Sequence, residues 1–423
     1  MPSVAELKKL LLKKRGLSDS GHKAELDARL AEAVLLLLAV GNPAPLTPGQ
    51  LAAAREARNE ECSAVVALPA PVQMVALSQL SVVQLWRVRR VSRHFRRLAT
   101  EVLEGLPRLV SVGGVRLDRC GRSTPRLDGH QKLVRSPAVE VEVLNLSTMR
   151  WSAAGARGPP SLPAPPLQHT HSLAAFSDGR VVVAGGTLHP VQALQWVPGS
   201  AAWSTLPDMA LERPYAMAVA LPDGRLLVGG GNEDDSAEVL AADGSGWAPV
   251  ALMTARRKYS AVIGLLQSGR VIVAGGCSER DGCALDTAEQ WDPVQDTWTA
   301  LPPLALKTPD GAAGCVLLNG RFAVVGGVDM IDEHCLEDGE VYDPIAGRWD
   351  PLPNMATGRK DHALVAVAGG MIAIGGAQMK GAADELYDEE SGRWLALPHA
   401  MRVPRDGLAR VVSVPAYALA FKN

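Results

Sequence analysis

Short apolar runs, each closed by a pair of glycines, recur six times from about residue 109 to the end of the 423-residue chain. A Trp follows each pair, and a bulky apolar residue stands seven positions before each Trp. The pairs end at Gly114, Gly186, Gly230, Gly276, Gly327 and Gly376, the Trp residues are Trp151, Trp203, Trp247, Trp298, Trp349 and Trp394, and the bulky residues are Leu144, Trp196, Leu240, Trp291, Tyr342 and Tyr387. Because the Trp residues recur every 44–52 positions, we expect six copies of one structural unit.

Within each unit the pattern predicts four short antiparallel strands. Two β-rich runs precede the glycine pair, and in four units a two-residue turn joins them: Asp178-Gly179, Asp223-Gly224, Ser268-Gly269 and Asn319-Gly320. Asn-Gly and Asp-Gly tolerate positive φ and suit tight hairpins. Two more strands follow a variable loop, and the Trp that opens the last one is expected to pack against its partner seven residues back. The predicted fold class is therefore mostly β.

The segments WDPVQDTW, VYDPIAGRW and LYDEESGRW resemble kelch repeats. The resemblance covers residues 109–423 and implies a six-bladed kelch-type β-propeller. The first unit lacks an innermost strand, whereas residues 405–414 (RDGLARVVSV) match GRKDHALVAV of the preceding unit. We expect the C-terminal strand to complete the first blade and remove an open sheet edge. The alternative is an unclosed stack of hairpins.

Two small all-α modules are expected ahead of the propeller, and the first occupies residues 1–40. Residues 4–33 predict two amphipathic helices, with Gly16 as a C-cap and Ser20 as an N-cap. The run RGLSDSGHKAEL resembles a SAP domain, a short helix–loop–helix module that binds DNA. The alternative is a basic helix pair that contacts only protein. The resemblance assigns phosphate contacts to Lys8, Lys9, Lys13, Lys14, Arg15, His22 and Lys23.

Residues 41–67 predict a turn-rich linker with a helix near residues 51–61, and residues 68–108 predict short packed helices. The second segment resembles an F-box, which docks on the Skp-type adaptor of a cullin ubiquitin ligase. It departs from that family at Ala76-Leu77, where a Phe is usual, and lacks the acidic residue after Leu-Pro. The alternative is a plain helical spacer. The residues matched to adaptor binding are Leu68, Pro69, Val72, Leu77 and Leu80.

Charge and cysteine usage indicate an intracellular protein. The formal net charge is −2, but residues 85–135 carry thirteen Lys/Arg against four Asp/Glu, so the two ends suit different partners. Six cysteines form no CxxC pair, which is typical of reduced thiols. The longest apolar run, residues 33–40, is too short to cross a membrane. We expect a nuclear or cytoplasmic location and no membrane partner.

The sequence predicts no catalytic residues, no cofactor and no metal. There is no phosphate-binding loop, nucleophile elbow or HExxH motif, and the glycine pairs end strands instead of opening helices. His169-Thr170-His171 has no third ligand at a convincing spacing. Copper oxidases with this kind of propeller need a set of Tyr, His and Cys ligands that is not found here. We therefore expect a binding protein and not an enzyme.

A binding face is expected where the loops between blades meet the loops after the glycine pairs. Ten residues after the Trp, three connecting loops carry an Arg, and Arg and Tyr are frequent anchors in protein interfaces. The alternative is that these arginines pair with the acidic loops at 232–235 and 329–338. The candidate target-binding residues are Arg213, Tyr215, Arg257, Tyr259, Asp310, Arg359, His362 and Arg405.

Together these features predict the substrate-recognition subunit of an SCF-type cullin ubiquitin ligase. The F-box-like helices would dock a Skp-type adaptor, the propeller would recruit a protein target, and the SAP-like module would tether the assembly to DNA. The alternative function is a non-ligase, chromatin-associated or scaffold protein that uses the propeller for protein–protein assembly.

Overall fold

The computed structural model describes residues 70–90, 93–112, 115–119, 133–137, 141–155, 158–163, 171–187, 189–231, 235–257, 262–278, 284–305, 311–328, 334–376, 382–399 and 411–419. The chain divides into two compact units, Met1–Leu106 and Pro107–Asn423. The SAP-like module at 1–40 and the linker at 41–67 lie outside the described residues, so they stay predictions.

The described part of the first unit is a cluster of three helices, α1 (Ala70–Ser78), α2 (Val82–Val88) and α3 (Arg93–Gly105). Ser81 caps α2: its hydroxyl accepts from Gln84 N at 3.1 Å, and Gln84 Oε1 accepts from Ser81 N at 2.8 Å. This reciprocal arrangement satisfies two backbone donors that a helix start leaves unpaired. His94 on α3 contacts Gln73 on α1, with 2.6 Å between Nε2 and Oε1.

The second unit contains six four-stranded antiparallel sheets and one hairpin. Blade 1 is built from β1 (Arg108–Ser111), β4 (Glu142–Asn145), β5 (Arg150–Ala153) and β26 (Val411–Val414), with β2 (Val115–Arg119) and β3 (Leu133–Pro137) forming the hairpin between β1 and β4. Blade 2 is β6 (Ser172–Ala175), β7 (Val181–Ala184), β8 (Ala193–Trp196) and β9 (Ser204–Thr205). Blade 3 is β10 (Met217–Ala220), β11 (Leu226–Gly229), β12 (Ala237–Leu240) and β13 (Trp247–Pro249).

The remaining three blades repeat this order without interruption. Blade 4 is β14 (Val262–Leu265), β15 (Val271–Ala274), β16 (Ala288–Asp292) and β17 (Thr297–Leu301). Blade 5 is β18 (Ala313–Val316), β19 (Phe322–Val325), β20 (Gly339–Asp343) and β21 (Arg348–Leu352). Blade 6 is β22 (Ala363–Val367), β23 (Gly370–Ile374), β24 (Glu385–Asp388) and β25 (Arg393–Ala396), and a short helix, α4 (Ala416–Leu419), follows β26.

The ring is closed by the C-terminal strand. β26 pairs antiparallel with β1, with Val110 opposite Val412 and Arg108 opposite Val414. Each innermost strand contacts the next around the axis, and β26 contacts both β6 and β22. The closure that the repeat predicts is therefore present, and it removes the sheet edge that an open stack of hairpins would leave. The β2–β3 hairpin in blade 1 was not predicted.

The repeat Trp of each blade forms a hydrogen bond to the blade before it or to the segment that follows that blade. Five indole Nε1 groups donate, at 2.8–2.9 Å, to a backbone carbonyl in the segment that follows the preceding blade; the pairs are Trp203–Pro160, Trp247–Pro207, Trp298–Ala251, Trp349–Pro302 and Trp394–Pro353. In blade 1, Trp151 donates instead to Asp384 Oδ2 of blade 6 at 3.1 Å. The predicted cross-strand partners are confirmed, since Tyr342 lies opposite Trp349 with 5.2 Å between ring centroids.

In blades 2, 3, 5 and 6, the second strand ends in glycines because a neighbouring carbonyl leaves no room for a side chain. A Cβ on Gly230 would lie 2.3 Å from the carbonyl oxygen of Arg257, and one on Gly326 would lie 2.6 Å from that of Arg359. Both glycines also have positive φ, 63° and 68°, which other residues rarely adopt. In blade 3 the structural pair is Gly230-Gly231, one residue later than the sequence pattern placed it, because Gly229 belongs to β11.

Candidate functional site: the axial cavity and its rim

A buried ion pair supports the rim of the ring in blade 4. Arg257, in the loop that enters the blade, donates from Nε to Glu289 Oε1 on β16 at 3.0 Å. Its Nη1 donates to the carbonyls of Gly275 and Thr287 at 2.8 and 3.0 Å, and its Nη2 donates to Thr287 Oγ1 at 3.1 Å. The other oxygen of Glu289 accepts from the backbone and hydroxyl of Thr254 at 2.7 and 2.8 Å.

The same arrangement recurs in blades 3 and 6. Arg213 donates from Nε to Glu238 Oε1 at 2.9 Å and from Nη1 to the carbonyls of Gly230 and Ser236, both at 3.1 Å. Arg359 donates from Nη2 to Glu385 Oε1 at 2.9 Å and from Nη1 to the carbonyl of Gly375 at 2.8 Å. Arg359 Nη2 also donates to the carbonyl of Ala383. Each arginine therefore clamps the end of the second strand to the start of the third.

These pairs place the three arginines, which the sequence predicts as target-binding residues, inside the blades. Arg213 and Arg257 are 1% exposed and Arg359 is 0% exposed. Burial lowers the pKa of Arg257, while Glu289 acts in the opposite direction. A buried guanidinium needs a carboxylate partner and full hydrogen bonding, and the strand glutamates supply both. The carboxylate partners that the structure describes are Glu238, Glu289 and Glu385, which lie on strands and not in the acidic loops.

The glutamate partners of these arginines were not predicted from the sequence, although they recur at a fixed position of the repeat. A Glu stands nine residues before the Trp in five of the six units: Glu142, Glu238, Glu289, Glu340 and Glu385. All five are buried. Unit 2 has Leu194 at this position, and unit 5 has Thr308 where the arginine would stand. In unit 5, Glu340 Oε2 accepts from Ala305 N at 3.1 Å. A buried Glu that recurs with the blade period signals a buried cationic or backbone donor.

Tyr215 and Asp361 stand two residues after Arg213 and Arg359 and share an unusual backbone. Their φ angles are 59° and 53°, a left-handed conformation that is uncommon outside glycine. Asp361 N donates to the carbonyl of Gly311 at 2.7 Å. The turn directs the chain from the rim into the innermost strand, so Tyr215 lies at the axis, as does His362.

A cavity of about 170 Å³ lies on the axis at the entry ends of the innermost strands. Residues from all six blades line it. Ser172, Tyr215 and His362 are the polar side chains among the described lining residues, and the others are Ala, Gly, Val, Leu, Ile and Met. None of these lining residues is Asp, Glu, Lys or Arg. The described wall of the cavity is therefore uncharged when His362 is neutral.

Among the predicted target-binding residues, the structure brings Tyr215 and His362 to this cavity and leaves the three arginines inside the blades. Tyr259, Asp310 and Arg405 lie outside the described residues. That Tyr215 and His362 contact a target stays a prediction.

The predicted adaptor-binding residues fall into two groups. Leu77 and Leu80 are buried, 0% and 2% exposed, so they support the helical cluster and do not form an exposed docking surface. Val72 lies in α1, but its side chain, like Leu68 and Pro69, falls outside what is described. The DNA-binding residues Lys8, Lys9, Lys13, Lys14, Arg15, His22 and Lys23 also lie outside the described residues.

Within the described ranges, no three His, Cys, Asp or Glu side chains come close enough together to hold a metal ion. His169 of the His-Thr-His segment lies outside those ranges. No helix within them is both long and apolar enough to cross a membrane.

Comparison with known proteins gives kelch motifs at residues 267–305 and 311–356, in blades 4 and 5. The chain is 33% identical over 105 residues to the human kelch repeat and BTB domain-containing protein 13, covering 24% of this chain and 23% of that protein. It is 30% identical over 135 residues to an F-box/kelch-repeat protein of Arabidopsis thaliana, covering 29% and 31%. It is 30% identical over 178 residues to the F-box protein AFR of the same plant, covering 37% and 44%.

These matches span less than half the length of each relative. Together with the six paired sheets, they show that the chain carries kelch repeats arranged as a closed six-bladed β-propeller.

Proposed function

We propose that the chain is the substrate-recognition subunit of an SCF-type cullin ubiquitin ligase and that its propeller binds the protein target. The observation that carries the proposal is the uncharged cavity on the axis of a kelch ring whose rim is fixed by buried Arg–Glu pairs. A rigid rim around a recess is what a preorganised binding site requires. The proposed role is binding, and the chemistry would belong to the associated ligase.

The F-box-like segment at 68–108 supplies the proposed link to a Skp-type adaptor. Two of the similar proteins carry F-box in their names, and one of these names also includes kelch-repeat. The three packed helices α1–α3 are compatible with an F-box. Because Leu77 and Leu80 are buried, the docking contacts would come from Leu68, Pro69 and Val72. The burial of Leu77 and Leu80 also favours the second candidate function, a scaffold in which these helices only pack.

Adaptor recovery separates the two candidates. The tagged full-length chain is mixed with a purified Skp-type adaptor, and bound adaptor is measured after affinity capture. The Leu68→Ala/Pro69→Ala variant should lose the adaptor without a change in the propeller's melting temperature. Val294→Ala is the matched control, because it removes an apolar side chain that is 92% exposed on blade 4. If wild-type chain recovers no adaptor even after crosslinking, the scaffold function replaces the ligase function.

We also propose that the N-terminal basic residues tether the assembly to DNA. The proposed location of the protein is the nucleus or the cytoplasm. The support is the cluster Lys13-Lys14-Arg15 within a segment that resembles a SAP domain. Full-length chain should bind duplex DNA weakly, with an affinity that falls steeply as salt rises. Changing the three residues to Glu should abolish this binding. Binding that is unaffected by salt or by the substitutions would contradict the tether.

A further inference from the structure

A group of exposed arginines lies where α2 ends and α3 begins, and it has no role in the contacts proposed above. The described part of the first unit, residues 70–90 and 93–106, contains six arginines, no lysine and two glutamates. Four of these arginines are exposed and form what is called the arginine surface: Arg90, Arg93, Arg96 and Arg97. Arg90 follows α2, and the other three belong to the first five residues of α3.

The arginine surface lies opposite the packed side of α3. That packed side consists of Phe95, Leu98, Ala99 and Leu103. Arg93 and Arg97 are one turn apart on the exposed side, where residues four apart are neighbours. Arg96 Nε donates to the carbonyl of Arg89, the C-cap of α2, at 3.4 Å, so its guanidinium lies beside the end of α2. Among the described residues, no carboxylate forms an ion pair with any arginine of this surface.

The charges of α3 are arranged against the stability of the helix. Its first turn contains Arg93 and Arg96 and no acidic residue, its last turn contains no basic residue, and Glu101 and Glu104 lie in its later turns. The helix macrodipole favours the reverse order, with acidic residues first and basic residues last. Arg93 and Arg97 also repel each other across one turn. Because these positions cost the helix stability, they indicate a contact with a partner outside it.

The composition of the arginine surface favours a phosphate backbone over an acidic protein as that partner. The centre of a protein–protein interface is apolar, but no large apolar side chain is exposed in the described part of the first unit. Protein–DNA interfaces are more polar and much more positively charged. Arginine presents a planar fork of donors that pairs with two phosphate oxygens at once, whereas lysine acts as a point charge. The exclusive use of arginine therefore suits phosphate groups.

We propose that the arginine surface binds the phosphate backbone of duplex DNA, as a second contact separate from the N-terminal basic residues. This contact deepens the proposed DNA tether and rests on it for the kind of nucleic acid that is bound. Phosphate contacts supply affinity and position the protein but do not read the base sequence. Glu101 and Glu104 are exposed farther along α3 and repel phosphates, so they confine the contact to the start of the helix.

The test measures binding of the full-length chain to a fluorescein-labelled DNA duplex of arbitrary sequence, by fluorescence anisotropy between about 50 and 200 mM salt. The variant Arg90→Gln/Arg93→Gln/Arg97→Gln removes three charges and leaves Arg96 and its contact with α2 in place. Each phosphate contact that is lost should reduce the slope of log affinity against log salt by about 1. We therefore expect the slope to fall by about 3 and the affinity at about 50 mM salt to fall tenfold or more.

Two further variants separate loss of a phosphate contact from a change in net charge or in folding. Arg150→Gln/Arg256→Gln/Arg393→Gln is the matched control, because it removes three exposed arginines of the propeller and changes the net charge equally. It should bind as wild type does. Replacing Arg90, Arg93 and Arg97 by Lys keeps the charges and should keep the wild-type slope. The far-UV circular dichroism of all variants should match wild type, since the Gln changes remove repulsion within α3.

An unchanged slope in the Gln variant of the arginine surface, or an equal loss in the propeller control, would overturn the inference. So would polyglutamate that displaces the duplex better than unlabelled DNA of equal charge, because the surface would then suit an acidic protein. The charge reversal Lys13→Glu/Lys14→Glu/Arg15→Glu judges the N-terminal tether separately. If it leaves binding unchanged while the Gln variant weakens binding, the tether fails and the arginine contact stands. The opposite pattern overturns the arginine contact and leaves the tether.

Discussion

Arg257 Nε and Glu289 Oε1 lie 3.0 Å apart, and neither side chain is exposed to solvent. The carbonyl oxygen of the same arginine accepts from Gly231 N of blade 3 at 3.1 Å. Arg257 is therefore bonded through its side chain to blade 4 and through its backbone to blade 3. Because the arrangement recurs at Arg213 and Arg359, the pairs set how adjacent blades meet at the rim of the axial cavity.

Removing one member of this pair should destabilise the propeller strongly. Arg257→Met leaves Glu289 as an unpaired buried carboxylate, which we expect to cost about 3–5 kcal/mol of unfolding free energy. Denaturant unfolding followed by Trp fluorescence measures it. Arg225→Met is the control, because Arg225 pairs at 2.8 Å with Asp223 where both side chains are partly exposed, and such a pair contributes about 0–1 kcal/mol. Equal losses for the two variants would contradict a structural role for the buried pair.

At Gly230, the cost of steric crowding can be measured separately from the cost of a left-handed backbone. Gly230 and Gly347 have nearly the same φ, 63° and 65°. A Cβ on Gly230 would meet the carbonyl of Arg257 at 2.3 Å, whereas one on Gly347 would meet nothing within 4 Å. Gly347→Ala should cost about 1–2 kcal/mol for the left-handed backbone. Gly230→Ala should cost about 1–3 kcal/mol more for the crowding, by denaturant unfolding. Identical costs would mean that the rim yields to the added methyl group.

Two adjacent residues of the closing strand allow a test of whether the stability of the ring depends on that strand. Val414 is fully buried and Ser413 is exposed on the same strand, β26. Val414→Asp places a carboxylate in the core between blades 1 and 2, and we expect a loss of about 3 kcal/mol or more together with poor solubility. Ser413→Asp should melt close to wild type. A stable Val414→Asp variant would show that the ring does not depend on its closing strand.

Acidification should weaken the fold through His362. Its pKa is about 3 in the folded chain and about 6.5 when unfolded, so between these values only the unfolded chain binds the proton. Stability from this residue is therefore present above pH 6.5 and declines as pH falls. From pH 7 to pH 5 the expected loss is about 2 kcal/mol.

Asp384 acts in the opposite direction, because burial raises the pKa of its carboxyl, so its protonation favours the folded chain. The His362 contribution is isolated by comparing the pH dependence of unfolding of wild type with that of His362→Leu. The variant should lose less stability than wild type between pH 7 and pH 5. Parallel curves would show that His362 titrates normally in the folded chain.

The sequence by itself determined the number of blades, the strand order within them and the closure of the ring. Each blade is specified by contacts that are local in the chain, such as Tyr342 opposite Trp349 across one turn. That contact joins residues seven positions apart, so the same spacing can be recognised in every copy of the repeat. The closing strand could be predicted because residues 405–414 fill the one strand position that the first copy lacks. The β2–β3 hairpin is an insertion outside the repeat, so the repeat gave no signal for it.

Only the tertiary structure decided what the rim residues do. Arg257 and Glu289 are 32 positions apart in the chain and meet at 3.0 Å because sheet pairing brings the start of one strand beside the loop that enters the blade. From the sequence alone, Arg257 could equally face a partner, since exposure depends on neighbours that the local pattern does not contain. The axial cavity depends on all six blades at once. Among the described residues His362 has no hydrogen-bond partner, because burial and hydrogen bonding are set by the closed ring and not by the residues that flank His362 in the chain.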